Sequence, residues 1–121
     1  MAKIERFEDL ECWKAARQLC VLIYQLDGPI KKDWVLQDQL RRAGISIMNN
    51  IAEGFGRYSN KETIRFLDFA RASANEVKSM LYLLEDIAYV PKKEALMHLH
   101  SQVDLSRNKT VGLIRYLKDR N

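Results

Sequence analysis

Seven positions near the C-terminus constrain the fold most. Leu96, Leu99, Val103, Ser106, Thr110, Leu113 and Leu117 alternate three and four residues apart. That spacing lines them along one side of an α-helix, as the heptad seam of near-parallel helix packing. Three earlier stretches carry the same period. Cys12, Ala16, Leu19, Ile23 and Leu26, flanked by Trp13, Cys20 and Tyr24, predict a first helix over about 9–26. Leu36, Leu40, Ala43, Ile47, Asn50 and Gly54 predict a second over 34–54. Phe66, Ala70, Ser73, Val77, Met80, Leu84 and Ile87, broadened by Leu67, Ala74 and Leu81, predict a third over 60–88. The C-terminal seam predicts the fourth, over 92–118.

Punctuation falls between these stripes. Gly28-Pro29 in "DGPIKKD" cannot continue a helix, and Asp33 suits the N-cap of the next one. The glycines of "EGFGR" stop the second helix, Ser59-x-x-Glu62 has capping-box spacing, and Pro91 suits a first helical turn. Elsewhere breakers are scarce: 121 residues contain five Gly and two Pro, and no run alternates as a strand would. The expectation is all-α, one domain over 1–121, an up-down-up-down four-helix bundle. A chain that is 47% hydrophobic and 30% charged can bury one core of that size.

No segment approaches the apolar length of a membrane span. The N-terminal "MAKIERFEDLECWKAARQ" carries charges where a signal peptide needs an apolar run, so a cytoplasmic protein with no membrane partner is expected. Cys12 and Cys20 share the apolar side of the first helix and read as buried reduced thiols in preference to a redox or metal pair.

Catalytic patterns are missing. His98 and His100 stand two apart, which on a helix turns them about 200° from each other, unsuited to one metal. "GFG" lacks the lysine, strand and spacing of a phosphate loop or dinucleotide fingerprint, and Glu85-Asp86 splay as solvated neighbours. There is no Gly-x-Ser-x-Gly and no Cys–His arrangement. A non-enzymatic protein is expected, with no catalytic residue, metal or cofactor.

Polar and apolar residues beyond the core mark four candidate surfaces. In "SIMNNIAEGFGR", Asn50 sits on the core seam with Glu53 and Arg57 at the helix end and Arg42 two turns earlier. These four read as a structural polar network that can fix register, in preference to a ligand site. Gly54 or Gly56 is expected to supply positive φ at that corner. Ile45, Met48, Ala52 and Phe55 form a second stripe about 120° or more around from the seam of the second helix. A central helix covered on two sides would explain it; a subunit interface is the preferred reading.

Arg71, Lys78 and Tyr82, with Asn75 and Tyr89, form a basic-aromatic face on the third helix that suits single-stranded nucleic acid, a protein or plain solvent. From Ser106 to Asn121, Arg107, Lys109, Arg115, Lys118 and Arg120 face one acid, Asp119. That segment holds +4, as much as the whole chain. Compensation of a helix dipole and contact with a polyanion both fit it.

The stretches "FEDLECWKAARQL", "DWVLQDQLRRAGISIMNNIAEGFGR" and "FLDFARASANEVKSMLYLL" resemble the four-helix-bundle family first noticed as reading frames in intervening sequences of bacterial 23S rRNA genes, also called the S23 ribosomal protein family. The resemblance spans about Arg6 to Val90, with its most specific part from Gln39 through "NIAEG" to Arg57. It implies a cyclic homopentamer of bundles around a central channel. It also implies kinship with the accessory protein of diversity-generating retroelements, a basic pentamer that binds nucleic acid and a reverse transcriptase. The family has no known catalytic residues to carry over. Two function classes follow: an RNA- or DNA-binding accessory module, or an oligomeric scaffold for a protein partner.

Overall fold

The computed structural model describes residues 4–120, so Met1 to Lys3 and Asn121 of the terminal readings lie outside it. Four α-helices account for most of the chain: α1 (Glu11–Tyr24), α2 (Trp34–Gly54), α3 (Asn60–Asp86) and α4 (Lys93–Lys118). Short 3-10 turns at Phe7–Asp9 and Pro29–Lys32 precede α1 and α2, and no strand occurs among the described residues.

Each helix packs on its neighbours in the chain, and α4 closes the ring onto α1. Cross-helix hydrogen bonds give the directions. Ser46 Oγ meets Ser73 Oγ at 2.8 Å, and Thr63 Oγ1 donates to the Gly54 carbonyl at 3.0 Å. Lys78 reaches Asp104, and the Asn60 amide reaches the Leu117 carbonyl. Gln102 and Ser106 donate to the carbonyls of Ala15 and Cys12 at 3.1 and 3.2 Å. Within each set one number rises as the other falls, so α2–α3, α3–α4 and α4–α1 all run antiparallel.

Leu19, Leu40, Ile47, Ile51, Leu67, Val77, Leu81, Leu84, Leu99 and Val103 fill the axis and are at most 1% exposed. Burial of such a side chain is worth roughly 1.5–3 kcal/mol, which makes this core the main source of stability. The two polar members of the α4 seam are satisfied. Ser106 bonds to α1, and Thr110 Oγ1 donates to the Ser106 carbonyl at 2.7 Å. Neither leaves an orphaned group in the core.

Local signals act largely through single side chains. Asp33 caps α2 by accepting from the Leu36 amide at 3.0 Å, and Ser59 caps α3 by accepting from Glu62 at 3.2 Å. The reciprocal half of that capping box is replaced, because the Glu62 carboxylate accepts from Arg65. Gly28, at φ 109°, packs so tightly on Pro91 that a Cβ there would stand 2.5 Å from the ring. Beside it the Ile30 amide donates to the Tyr89 carbonyl, tying the α1–α2 and α3–α4 loops together.

The structure moves several expected boundaries. Asp9 belongs to the 3-10 turn, and Leu10 is extended, so α1 begins at Glu11. α3 ends at Asp86, and Ala88 takes φ 56° in the turn that follows. Ile87 therefore leaves the core face and is 42% exposed. The buried face of α3 is also rotated: Leu67, Ala74 and Leu81 are fully covered, while Phe66 and Met80 are half-buried. The reason is that α3 packs on α2 and α4 at once, which centres its buried arc between the two. On α4, Ile114 is buried where Leu113 and Leu117 are half-buried.

Two glycines give opposite expectations. A Cβ on Gly54 would lie 2.7 Å from Phe66 Cβ, which is fixed to the α3 backbone, whereas one on Gly112 meets nothing within 4 Å. Gly54→Ala should destabilise by about 1–2 kcal/mol through forced separation of α2 and α3. Gly112→Ala should stabilise by about 0.5–1 kcal/mol through helix propensity. Urea unfolding of both variants checks the pair; equal shifts would contradict the tight α2–α3 contact.

The thiols give a second test. Burial raises both Cys12 and Cys20 to about 11, with Thr110 partly opposing the shift at Cys12. Thiolate is the reactive form. Alkylation at pH 8 should therefore run at least about tenfold slower in the folded protein than in denaturant. The same shift should lower stability as pH rises from 9 towards 11, because the unfolded chain then releases protons that the folded chain retains.

Candidate functional site

The polar corner resolves into separate pairings. Asn50 is half-buried, and its amide donates to the Ser46 carbonyl at 2.9 Å and to Ser46 Oγ at 3.0 Å. Ser46 in turn meets Ser73, so the amide secures a serine bridge between α2 and α3. Arg57 bonds back to Glu53, through the Glu53 carbonyl at 2.9 Å and through an ion pair with its carboxylate. Its guanidinium lies 4.6 Å from the Phe66 ring centroid. Arg42 pairs with Asp38 at 2.9 Å, one turn back on the same helix. The expected single network of Arg42, Asn50, Glu53 and Arg57 is thus corrected to three local contacts. Glu53 and Arg57 do pair with each other, while Asn50 and Arg42 are each satisfied four residues back, by Ser46 and Asp38, before they can join them. Positive φ at this corner belongs to Gly56 (77°), while Gly54 is needed for its missing side chain.

The basic-aromatic face of α3 is largely neutralised. Arg71 pairs with Asp68 at 3.3 Å, and Lys78 reaches across to Asp104 of α4 at 3.0 Å. The Lys78 ammonium also sits 5.7 Å from the Tyr82 ring centroid, and Tyr82 tilts against His100 at 4.9 Å. Burial first, and Lys78 second, hold His100 below the ordinary histidine range despite Glu85 and Asp104 nearby. Arg71, Lys78 and Tyr82 do come together, as a set with its own counter-charges. Asp68 and Asp104 were the partners that the spacing of the cations alone did not reveal.

The cations of α4 are different. Lys109, Arg115 and Lys118 are exposed and Arg107 is half-buried; none of the four has a carboxylate partner among the described residues. The Arg107 Nε is buried without a hydrogen-bond partner. At about 100° per residue Arg107, Arg115 and Lys118 share one flank of α4, and Lys109 points elsewhere. Arg120, beyond the helix, lies 3.6 Å from the Tyr116 ring centroid and donates to the Tyr116 carbonyl.

The second stripe of α2 is less open than its spacing suggested. Ile45, Met48, Ala52 and Phe55 are all half-buried, and Met48 and Ala52 pack against the core. The stripe faces α1 and the N-terminal turn. Its open part lies further towards the start of the helix, where Trp34 is 82% exposed and Arg41 covers Tyr24 at 4.3 Å from the ring centroid. Sequence reading missed Trp34 and Arg41, although both continue the same three-four spacing (Trp34, Asp38, Arg41, Ile45, Met48).

Among the described residues no group of three metal-ligating side chains converges, and no helix is long and apolar enough to cross a membrane. A depression of about 680 Å³ runs along the outer α2–α3 surface over Gln39, Ala43, Ser46, Ala72, Ser73 and Glu76. A smaller one of about 410 Å³ lies under the tied loops, between Leu22, Leu26, Pro91 and Leu99.

Known proteins resemble this chain at the level of family and fold. No curated protein matches it. A solved structure from Bacteroides thetaiotaomicron, described as a protein with unknown function from the S23 ribosomal protein family, superposes with a TM-score of 0.73 at 22% identity. The match covers 85% of this chain and 97% of that one. Residues 8–110 match the family described as 23S rRNA-intervening sequence protein, a span that takes in all of α1, α2 and α3 and two-thirds of α4. The chain belongs to the 23S rRNA-intervening sequence protein family.

Proposed function

We propose that this protein is a non-enzymatic, self-associating helix bundle of the cytoplasm that binds RNA or DNA through the α4 cations of several copies. One observation carries the reading: Arg107, Lys109, Arg115 and Lys118 have no acidic partner among the described residues, whereas Arg65, Arg71 and Lys78 of α3 are paired. An unpaired, exposed cation gives up little on meeting a phosphate and releases the counterions condensed there. Arg71 and Lys78 would first have to break from Asp68 and Asp104. The functional surface therefore centres on α4, with Tyr82 at its margin.

One subunit offers a modest field, since the whole chain carries +4. A ring of copies repeats the same cations at fixed spacing, and weak contacts then combine through effective concentration. The resemblance described above points to five copies. Of the half-buried Ile45, Met48, Ala52 and Phe55, Met48 and Ala52 pack against the core, and the outer edge of the stripe is left for such an assembly. The binding expected is of phosphate backbone, with little base preference.

Light scattering on the purified protein should give a mass of about five subunits. A 14.1 kDa particle at tens of micromolar would remove the ring. Retention of RNA and DNA should fall steeply as salt rises. Replacing Arg115, Lys118 and Arg120 together by Gln should reduce the log–log salt slope by up to about 2 per subunit on single strands. Arg71→Gln should leave that slope nearly unchanged. Absence of retention even at low salt would overturn the nucleic-acid reading in favour of an oligomeric scaffold for a protein partner.

A further inference from the structure

Two outward stripes of the bundle carry opposite, unpaired charges at the same height. On α2, Trp34, Arg41, Ile45 and Met48 follow the three-four spacing about 120° from the core seam, on the side of α1. Arg41 has no carboxylate partner among the described residues, and its Nε is buried without a hydrogen bond. Around it stand Trp34, 82% exposed, Tyr24, 51% exposed, and Val21, 43% exposed. On α3, Phe69, Ala72, Glu76 and Leu83 follow the same spacing, again about 120° from the core, on the side of α2. Phe69 is 44% and Leu83 45% exposed, and Glu76 between them has no cation partner among the described residues. Asp38 also lies on the α2 stripe but is paired with Arg42, so each stripe carries a single unpaired charge among its apolar side chains, the pattern that sets register between paired helices.

The internal α2–α3 contact measures their heights. Ser46 stands opposite Ser73. Counting along the antiparallel pair from there, Glu76 lies level with Ala43, only about 3 Å along the axis from Arg41. Leu83 lies level with Leu36, Ala72 with Ile47 and Phe69 with Asn50. Placed beside the α2 stripe of an unshifted second copy, Leu83 falls beyond Trp34, Glu76 between Arg41 and Ile45, and Ala72 between Ile45 and Met48. Phe69 falls just beyond Met48. Each α3 side chain meets a gap between α2 side chains, as knobs meet holes.

We propose that a second copy of this chain covers the α1–α2 face with the outer stripe of its α3, pairing Arg41 of one copy with Glu76 of the next. The proposal rests on the self-association inferred above and names the surfaces that would make it. Because the two faces differ, the contact is heterologous. Because they lie on adjacent sides of the bundle at equal height, successive copies turn without climbing, and the assembly closes as a ring. Residues Ser46 and Ser73 lie in the groove beside the contact, where small side chains let the next copy approach closely.

The test is a charge exchange on the whole chain, read by light scattering and by helical circular dichroism. Arg41→Glu and Glu76→Arg should each keep the helical signal and weaken association at least about tenfold, towards the subunit mass. The double variant should restore the wild-type mass. Leu83→Asp should also dissociate the assembly without unfolding it, and Trp34 emission should shift to the red whenever association is lost. A wild-type monomer would overturn both this contact and the self-association beneath it. A wild-type ring with single variants of unchanged mass, or a double variant that fails to recover, would overturn the contact and leave the ring. Single variants that keep their mass and lose RNA retention would make the α1–α2 face a nucleic-acid surface and overturn the pairing.

Discussion

The close approach of α2 to α3 is the constraint on which the rest of this bundle depends. At one end, Gly54 lies so near Phe66 that no side chain fits, and Thr63 bonds to its carbonyl. Two turns away Ser46 and Ser73 share a hydrogen bond, held in place by the Asn50 amide. These contacts fix the axial register of α2 against α3. α4 then takes its height from α3, through Lys78–Asp104, and α1 from α4, through Ser106 and Gln102. An apolar core alone would tolerate sliding of one helix along another; directional bonds to single carbonyls and hydroxyls do not.

Charge is distributed over this frame unevenly. Most cations of α2 and α3 have an acid three or four residues away, as Arg42 has Asp38, Arg65 has Glu62 and Arg71 has Asp68. Exposed pairs of that kind add only a few tenths of a kcal/mol each. Their larger consequence is to cancel the local field. On α4 the acids thin out after Asp104, so the field of the molecule gathers at one helix end. Net charge alone hides this, because a slightly acidic α3 and a basic C-terminal segment combine to a mild excess.

The helical period made the four elements and most of their buried residues legible. Leu40, Ile47, Val77, Leu99 and Val103 are buried on the stripes that their spacing defines. Capping by Asp33 and Ser59 was equally legible, because an N-cap is a contact within four residues. What escaped the sequence depended on the partner across the gap. The rotation of the α3 face by Leu67 and Leu81 follows from α3 touching two helices, and the pairing of Lys78 with Asp104 joins residues far apart in the chain. The polar corner was misread for a related reason. Asn50, Glu53 and Arg57 are close in sequence and look like one network, yet only Arg57 and Glu53 pair, and the Asn50 amide donates back to Ser46. The exposed Trp34 was passed over because attention to a helix start goes to its cap, and an aromatic there reads as a loose end.

The two proposed surfaces are compatible in one molecule. α2 and α4 stand diagonally across the bundle, since each packs on α1 and α3. A contact that uses the outer side of α2 in one copy and the α2-facing side of α3 in the next leaves the flank of α4 bearing Arg107, Arg115 and Lys118 uncovered. Assembly would then carry those cations around the ring without burying them. It would also remove from solvent Arg41 and Glu76, the one unpaired cation and the one unpaired acid at the centres of the mating stripes. Burying one of each sign leaves the net charge of each subunit unchanged at +4. An assembly built this way strengthens polyanion binding by repeating the cations around one axis.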